Sequence, residues 1–161
     1  MTLAYKTIPS PVGELKLVAS DKGLTAILWE CDRDSDRVRL GDQMEDAAHP
    51  VLVAAATQIG EYFDGKRTAF DLPLDFRGTD FQKSVWGALL TIPFGETRSY
   101  AEIARAVGRP TAFRAVGAAN GRNPISIIAP CHRVVGSDGT LTGFAGGLEA
   151  KALLLRIEGR V

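Results

Sequence analysis

The first 77 residues alternate short apolar runs with turn-forming residues. Three runs have the length of strands and are rich in apolar side chains: Leu3–Ile8, Glu14–Ala19 and Leu24–Trp29. They are separated by the turn residues Pro9, Pro11–Gly13 and Asp21–Gly23. Apolar runs of this length bounded by Pro and Gly are typical of β-strands. The pattern predicts an antiparallel meander at the start of the chain.

In residues 31–78 the sequence predicts a loop, a helix and one segment with two possible structures. The charged stretch Cys31–Asp46 has no hydrophobic period and predicts a loop. Pro50–Tyr62 carries apolar residues at helical spacing, which predicts a helix that ends at Asp64–Gly65. Phe and Leu alternate over Lys66–Gly78, and this favours either a further strand or a linker.

The second half of the chain is predicted to be mainly helical. Apolar residues at helical spacing predict a helix over Asp80–Leu90. Ser99 and Glu102 form a capping box, in which each side chain can satisfy a free amide at a helix start. The next helix is therefore predicted to begin at Tyr100. A third helix is predicted over Thr111–Ala119.

Two of these helices form a helix-turn-helix candidate. The helix that begins at Tyr100 and the helix over Thr111–Ala119 are joined by Gly108–Pro110. Arg114 lies near the start of the second helix, among small residues that would let a nucleic-acid backbone approach. The alternative is a close contact between helices with Arg114 solvated, and the residues alone leave both interpretations open.

These elements predict an α+β protein. It has an N-terminal antiparallel sheet with a helix, followed by a mainly helical domain with a helix-turn-helix. The boundary is predicted after Arg77, which gives domains 1–77 and 78–161. Residues 1–77 carry 9 Lys and Arg against 13 Asp and Glu, and residues 78–161 carry 10 against 6, so their net charges are −4 and +4. The basic half could bind a polyanion, although such a charge imbalance is also typical of an ordinary solvated surface.

The composition indicates the cellular compartment of the protein. Two cysteines, Cys31 and Cys131, occur in 161 residues, with no signal-peptide pattern and no long apolar run. We therefore expect a cytoplasmic protein with reduced thiols and no membrane segment. The cysteines and the two histidines, His49 and His132, lack the paired spacing of zinc sites, so we expect no metal.

Cys131 and His132 stand side by side after a run of apolar residues. A thiol in such a position is a candidate nucleophile if a base or a positive field raises its thiolate fraction. Adjacent residues of an extended segment point to opposite faces, which argues against a direct contact between the two side chains. The alternative is that Cys131 is a small core residue with His132 as a hydrogen-bonded neighbour.

Four motifs of the second half carry a family resemblance. They are Arg114–Gly117, Asn123–Pro124, Pro130–Val134 and Gly143–Gly147. With this spacing they resemble the O6-alkylguanine-DNA alkyltransferases, the methylated-DNA–protein-cysteine methyltransferase family. The resemblance is dense from about Phe81 to Gly159. The first 77 residues resemble the family's RNase H-like N-terminal domain mainly in length and element order.

The resemblance implies direct-reversal DNA repair with Cys131 as the alkyl acceptor. The thiolate would attack the alkyl carbon on O6 of a guanine, without a cofactor. The family's histidine acts through a water, with a glutamate behind it, and these positions match His132 and Glu158. A thioether product has no activated carbonyl for water to attack, so we expect one turnover per molecule.

Glu158 also has a local interpretation. Apolar residues over 148–158 repeat at helical spacing, and Gly159 ends the predicted helix. A carboxylate in the last turn faces the negative end of the helix dipole, which costs a few tenths to about 1 kcal/mol. Orienting an imidazole would account for this placement, and the alternative is a solvated glutamate.

The resemblance also assigns residues to the damaged base. Arg114 would fill the gap left by an extruded guanine, and Tyr100 would lie in the base pocket and donate to the guanine as negative charge develops. Asn123 would brace the segment before the cysteine. Backbone groups that would read the guanine edge belong to Cys131, Val134 and Ala145.

The implied partner is double-stranded DNA that contains O6-alkylguanine. The family binds the minor groove, which suits recognition without sequence preference. We expect a monomer, and cooperative assembly along DNA stays open, as does a preference between O6-alkylguanine and O4-alkylthymine.

Two residues depart from the family pattern. Phe144 stands where many members have tyrosine, so an apolar pocket wall remains without a hydroxyl. Phe113 precedes the proposed finger residue where a small residue is common, and its ring either packs inward or braces the DNA backbone.

Two other functions share these residues. Cys131, His132 and Glu158 are also the residue types of a cysteine hydrolase. A lesion-binding protein without chemistry would share the DNA-binding motifs, but relatives of that kind lack the reactive cysteine.

Overall fold

A computed structural model describes residues 2–32 and 37–159. The chain divides into two compact units, Met1–Arg77 and Gly78–Val161. No helix within the described ranges has the length and apolar character that a membrane crossing requires.

Over residues 2–32 and 37–77, the first unit contains a four-stranded sheet and one long helix. Its elements are β1 (Leu3–Ile8), β2 (Leu15–Ala19), β3 (Leu24–Leu28), β4 (Gln43–Glu45) and α1 (Pro50–Phe63). The strand order is β3-β2-β1-β4, and β2 pairs antiparallel with both β1 and β3. The predicted meander and helix are therefore present, and the predicted α+β class is confirmed.

The edge strand β4 corrects the prediction of a purely antiparallel sheet. It pairs parallel with β1, from Leu3 opposite Gln43 to Tyr5 opposite Glu45, so the sheet is mixed. This strand lies inside the segment predicted as a loop, of which residues 33–36 fall outside the described ranges. Gln43, Met44 and Glu45 alternate between polar and apolar, but three residues are too short a run to predict a strand.

Both faces of this sheet are covered. One face holds Leu3, Val18 and Ala26, which are buried beneath the partly buried side chains of Tyr5, Leu28, Val38 and Leu40. Helix α1 contacts β1, β2 and β3, and its buried residues are Leu52, Ala55, Ile59 and Tyr62. The sheet therefore lies between the helix and apolar residues of the supposed loop.

The segment after α1 is neither a full strand nor a detached linker. It makes a single bridge in which the Leu24 amide donates to the Pro73 carbonyl at 2.9 Å and the Asp75 amide donates to the Leu24 carbonyl at 2.7 Å. At Gly23 a Cβ atom would lie 2.6 Å from the Pro73 carbonyl oxygen, so this close approach requires glycine.

The described part of the second unit, residues 78–159, contains four α-helices. They are α2 (Asp80–Leu89), α3 (Tyr100–Ala106), α4 (Phe113–Gly121) and α5 (Leu148–Ile157), with the short parallel strands β5 (Arg98–Ser99) and β6 (Val134–Val135). The predicted capping box is present, since the Glu102 amide donates to Ser99 Oγ at 3.1 Å and the Ser99 amide donates to Glu102 Oε1 at 3.0 Å. Helix α3 begins at Tyr100 as predicted.

Helices α3 and α4 form the predicted helix-turn-helix. Gly108, with φ of +76°, reverses the chain after α3, and α4 begins two residues later than predicted. Helix α2 contacts both helices, and Trp86 Nε1 donates to the Ala119 carbonyl at 2.8 Å. This buried hydrogen bond ties the second helix of the motif to the core of the unit.

Candidate active site

Cys131 begins a 3₁₀ turn, Cys131–Arg133, that follows a fully buried segment of chain. Its side chain lies below the surface, since the residue is 3% exposed. Neither Cys131 nor Cys31 forms a disulfide. A ligand must therefore enter the protein to reach the Cys131 sulfur.

The turn before Cys131 is strained and braced. Ile127 has φ of +76°, which is rare for a β-branched residue and costs on the order of 1–3 kcal/mol. Asn123 spans this turn because its Nδ2 donates to the Ala129 carbonyl at 2.8 Å and its Oδ1 accepts from the Ile125 amide at 3.0 Å. Asn123 thus fixes the backbone that leads into Cys131.

His132 and Glu158 are in direct contact. His132 is fully buried, and its Nε2 lies 2.7 Å from Glu158 Oε2. Arg133 reaches the same carboxylate, with Nε donating to Oε1 at 2.8 Å and Nη2 donating to Oε2 at 3.1 Å. Arg133 Nη1 also donates to the Ile92 carbonyl at 2.6 Å. The carboxylate at the end of α5 is therefore compensated by a buried guanidinium, and it is not solvated.

This geometry sets the state of the imidazole. Burial lowers the pKa of His132, and the Glu158 carboxylate only partly opposes this effect. Since the Arg133-paired carboxylate can only accept, Nε2 carries the hydrogen and Nδ1 keeps its lone pair. Nδ1 is buried and has no hydrogen-bond partner among the described residues. The site thus contains a neutral, oriented base.

Lys151 places a positive charge in the same region. It has no exposed surface, and its Nζ donates to the Val134 carbonyl at 2.7 Å and to the Thr142 carbonyl at 3.3 Å. Burial lowers the pKa of Lys151 to about 8, while the electrostatic influence of Cys131 acts in the opposite direction. Lys151 is therefore largely an ammonium at neutral pH, close enough to Cys131 for their charges to interact.

Tyr100 joins this network through Thr142. Its hydroxyl is hydrogen-bonded to Thr142 Oγ1, which also lies 3.4 Å from Lys151 Nζ. A Cβ atom at Gly117 would lie 3.8 Å from the Tyr100 ring, so α4 passes close to this ring. Phe144 and Ala145 lie half-buried in the segment before α5.

The charged residues in the sequence segment around α4 are all basic. Arg114, its second residue, is exposed. No Asp or Glu occurs between Glu102 and Asp138, a gap that is visible in the sequence. The exposed arginines within this gap are Arg105, Arg109, Arg114 and Arg122.

The structure thus brings Cys131, His132 and Glu158 into one region, with Asn123 bracing the preceding turn. Arg133 and Lys151 were missed, because charged residues are normally expected at the surface. Within the described ranges no three His, Cys, Asp or Glu side chains are grouped to hold a metal ion.

Comparison with known proteins decides the family. The family model for the ribonuclease-like domain of 6-O-methylguanine DNA methyltransferase matches residues 3–76, and the model for its DNA binding domain matches residues 80–160. The chain belongs to the 6-O-methylguanine DNA methyltransferase family. The resemblance drawn from the sequence motifs is therefore confirmed.

Individual members of this methyltransferase family match nearly the full chain. Two proteins named methylated-DNA–protein-cysteine methyltransferase come from Methanosarcina barkeri and Mycolicibacterium paratuberculosis. The first is 50% identical over 96% of this chain and 96% of its own, and the second is 49% identical over 98% and 93%. A crystal structure of Mycobacterium tuberculosis OGT in complex with DNA superposes with a TM-score of 0.89 at 48% identity, covering 97% of this chain and 93% of that one.

Proposed function

We propose that this protein repairs alkylated DNA by moving the alkyl group from O6 of guanine to Cys131. The sulfur–carbon bond forms as the carbon–oxygen bond breaks, and guanine leaves with the bonding electrons on O6. The observation that carries the proposal is the buried, neutral base His132, which follows the thiol residue in the chain and is held by the Glu158–Arg133 pair. Family membership supplies the substrate class.

Thiolate formation follows from the buried charges. The proton leaves the Cys131 thiol and reaches His132 Nδ1, through a water as the family resemblance implies. The resulting imidazolium is stabilised by the Glu158 carboxylate at 2.7 Å. The Lys151 ammonium favours the thiolate electrostatically, since a nearby cation raises the thiolate fraction of a cysteine.

The departing base needs a hydrogen-bond donor. Tyr100 supplies its hydroxyl, with the Thr142 hydroxyl and the Lys151 ammonium behind it. Backbone groups of Cys131, Val134 and Ala145 read the guanine edge. The Val134 carbonyl already accepts from Lys151, and its second lone pair serves the base. Phe144 forms an apolar wall of the base pocket.

Double-stranded DNA binds the second unit, residues 78–161, through the exposed face of α4. The arginines in the acid-free stretch contact phosphates, which gives affinity without sequence preference. Arg114 enters the duplex from the minor groove and fills the space of the extruded guanine. The protein acts as a monomer in the cytoplasm, and O4-alkylthymine is a candidate second substrate.

Intact-mass measurement after mixing with a duplex that contains O6-methylguanine tests this function. We expect one methyl group per protein molecule, mapped by peptide analysis to Cys131, with no further turnover at excess DNA. The control is the same duplex with unmodified guanine, which should leave the mass unchanged. Sustained turnover, or an adduct formed only with acyl substrates, would indicate a hydrolase and overturn the proposal.

A further inference from the structure

Phe113, the first residue of α4, turns its side chain toward solvent. It is 49% exposed, and it is the only aromatic residue among the large apolar side chains exposed in the described ranges. Its ring forms no aromatic or cation–π pair with other residues of those ranges. The ring therefore does not pack inward, which removes one of the two alternatives left open by the sequence.

The exposed residues that follow Phe113 and Arg114 on α4 have small side chains or none. Ala115, Ala118 and Gly121 are exposed but small, so Phe113 and Arg114 are the side chains that project from the start of α4. Consecutive helical residues are turned by roughly 100° about the axis, so these two side chains leave the helix in different directions. Arg114 can fill the space of an extruded base while Phe113 meets the neighbouring part of the duplex.

The surroundings of this ring indicate the partner. Exposed arginines lie on the same acid-free stretch of chain, before and after Phe113: Arg105, Arg109, Arg114 and Arg122. Guanidinium groups complement phosphates, and an aromatic ring complements the apolar faces of stacked bases. A basic surface with one projecting ring therefore matches nucleic acid.

We propose that Phe113 is an apolar wedge that enters the minor groove at the base-pair step beside the extruded nucleotide. The ring partly unstacks that step and occupies the opened space, which stabilises the extruded state together with Arg114. This inference rests on the proposed repair function, because it assigns a second side chain to base extrusion by the same helix.

Single-turnover kinetics with two substrates separate a wedge from a structural role. For wild type and Phe113→Ala we would measure methyl transfer from a duplex and from the free O6-methylguanine base. A wedge acts only on the duplex, so the ratio of the duplex rate to the free-base rate should fall about tenfold in Phe113→Ala. Phe113→Leu, which retains apolar bulk, should recover part of this loss. Leu90→Ala, at a residue of similar exposure (44%), should leave the ratio unchanged.

Salt dependence and fluorescence distinguish the wedge from a phosphate contact. Duplex affinity of Phe113→Ala should fall with the same salt slope as wild type, whereas Arg122→Ala should flatten the slope. A 2-aminopurine next to the lesion should brighten less with Phe113→Ala because the step stays stacked. An unchanged rate ratio, an equal slowing of both substrates or unaltered fluorescence would overturn the wedge. Failure of wild type with both substrates would instead refute the repair function.

Discussion

The cores of the two units differ in what they bury. Three of the ten buried polar or charged residues within the described ranges lie in the first unit: Ser20, Thr25 and Asp32. The other seven lie in the second unit: Asn120, Asn123, Ser126, His132, Arg133, Lys151 and Glu158. Burial of apolar surface stabilises a core, whereas burial of charges is unfavourable unless they are paired. The charged residues buried near Cys131 therefore make the core of the second unit less stable than a purely apolar core would be.

The largest expected effect is a difference between variants of the two cysteines, one of which lies in each unit. Cys131→Ala removes the proposed alkyl acceptor, so it should gain no methyl group from an O6-methylguanine duplex. Cys31→Ala, at an exposed position of the first unit, should gain one methyl group per molecule like the wild type. Intact-mass measurement of both variants checks the prediction.

Duplex binding by Cys131→Ala controls for a loss that is not chemical. If this variant binds DNA as wild type does but gains no methyl group, the defect lies in the transfer step. A methylated Cys131→Ala, or an inert Cys31→Ala, would show that the acceptor has been assigned to the wrong unit.

The buried ion pairs of the two units should differ in strength. Arg133→Met leaves the Glu158 carboxylate, which has no exposed side-chain surface, without its guanidinium, so we expect a loss of about 3–5 kcal/mol in the free energy of unfolding. Arg37→Met breaks the matching pair with Asp32 in the first unit, where side chains are 13% and 6% exposed and water can approach. The Asp32 carboxylate keeps the hydrogen bond from the Trp29 amide, so a smaller loss of about 1.5–3 kcal/mol is expected there. Urea denaturation measures both, and equal losses would contradict the contrast.

A smaller effect should appear in the pH dependence of stability. The pKa of Lys151 is lowered from 10.5 to about 8, so between these values the unfolded chain binds a proton that the folded chain lacks. Stability therefore rises with pH across this window, by up to about 3 kcal/mol. Lys151→Met should lack this rise when denaturation is measured at pH 7 and pH 10.

Lys16→Met is the matched control in the first unit. Lys16 is partly buried and lies over the Tyr5 ring at 4.3 Å, without the enclosure that surrounds Lys151. Its variant should keep the rise in stability with pH. If Lys151→Met kept it as well, the buried ammonium would not be its source.

Local signals made most of the fold predictable. The first strand, Leu3–Ile8, and the start of α3 at Tyr100 were located to the residue, because turns and a capping box act within a few positions. Strand β4 was missed because its pairing with β1 joins distant segments and its three residues are too few to show a period. Apolar residues of the supposed loop, such as Val38, cover the sheet for the same long-range reason.

The site was predictable only in part. The adjacency of Cys131 and His132 was visible in the sequence, and Glu158 came from the family resemblance. The ion pair that joins Arg133 to Glu158 spans 25 positions, so no local pattern indicated it. Lys151 lies on the buried face of α5 together with Leu154 and Leu155. The spacing of the apolar residues in this helix did not indicate that a lysine would be buried among them.

The hydrogen bond from Trp86 to Ala119 makes this protein a suitable subject for optical spectroscopy. The chain has two tryptophans, one in each unit, and Trp29 and Trp86 are both buried. In Trp29→Phe the remaining indole would be the one bonded to the second helix of the helix-turn-helix. Its emission would then report movements of that helix without an attached dye, and the engagement of a damaged duplex could be followed in real time.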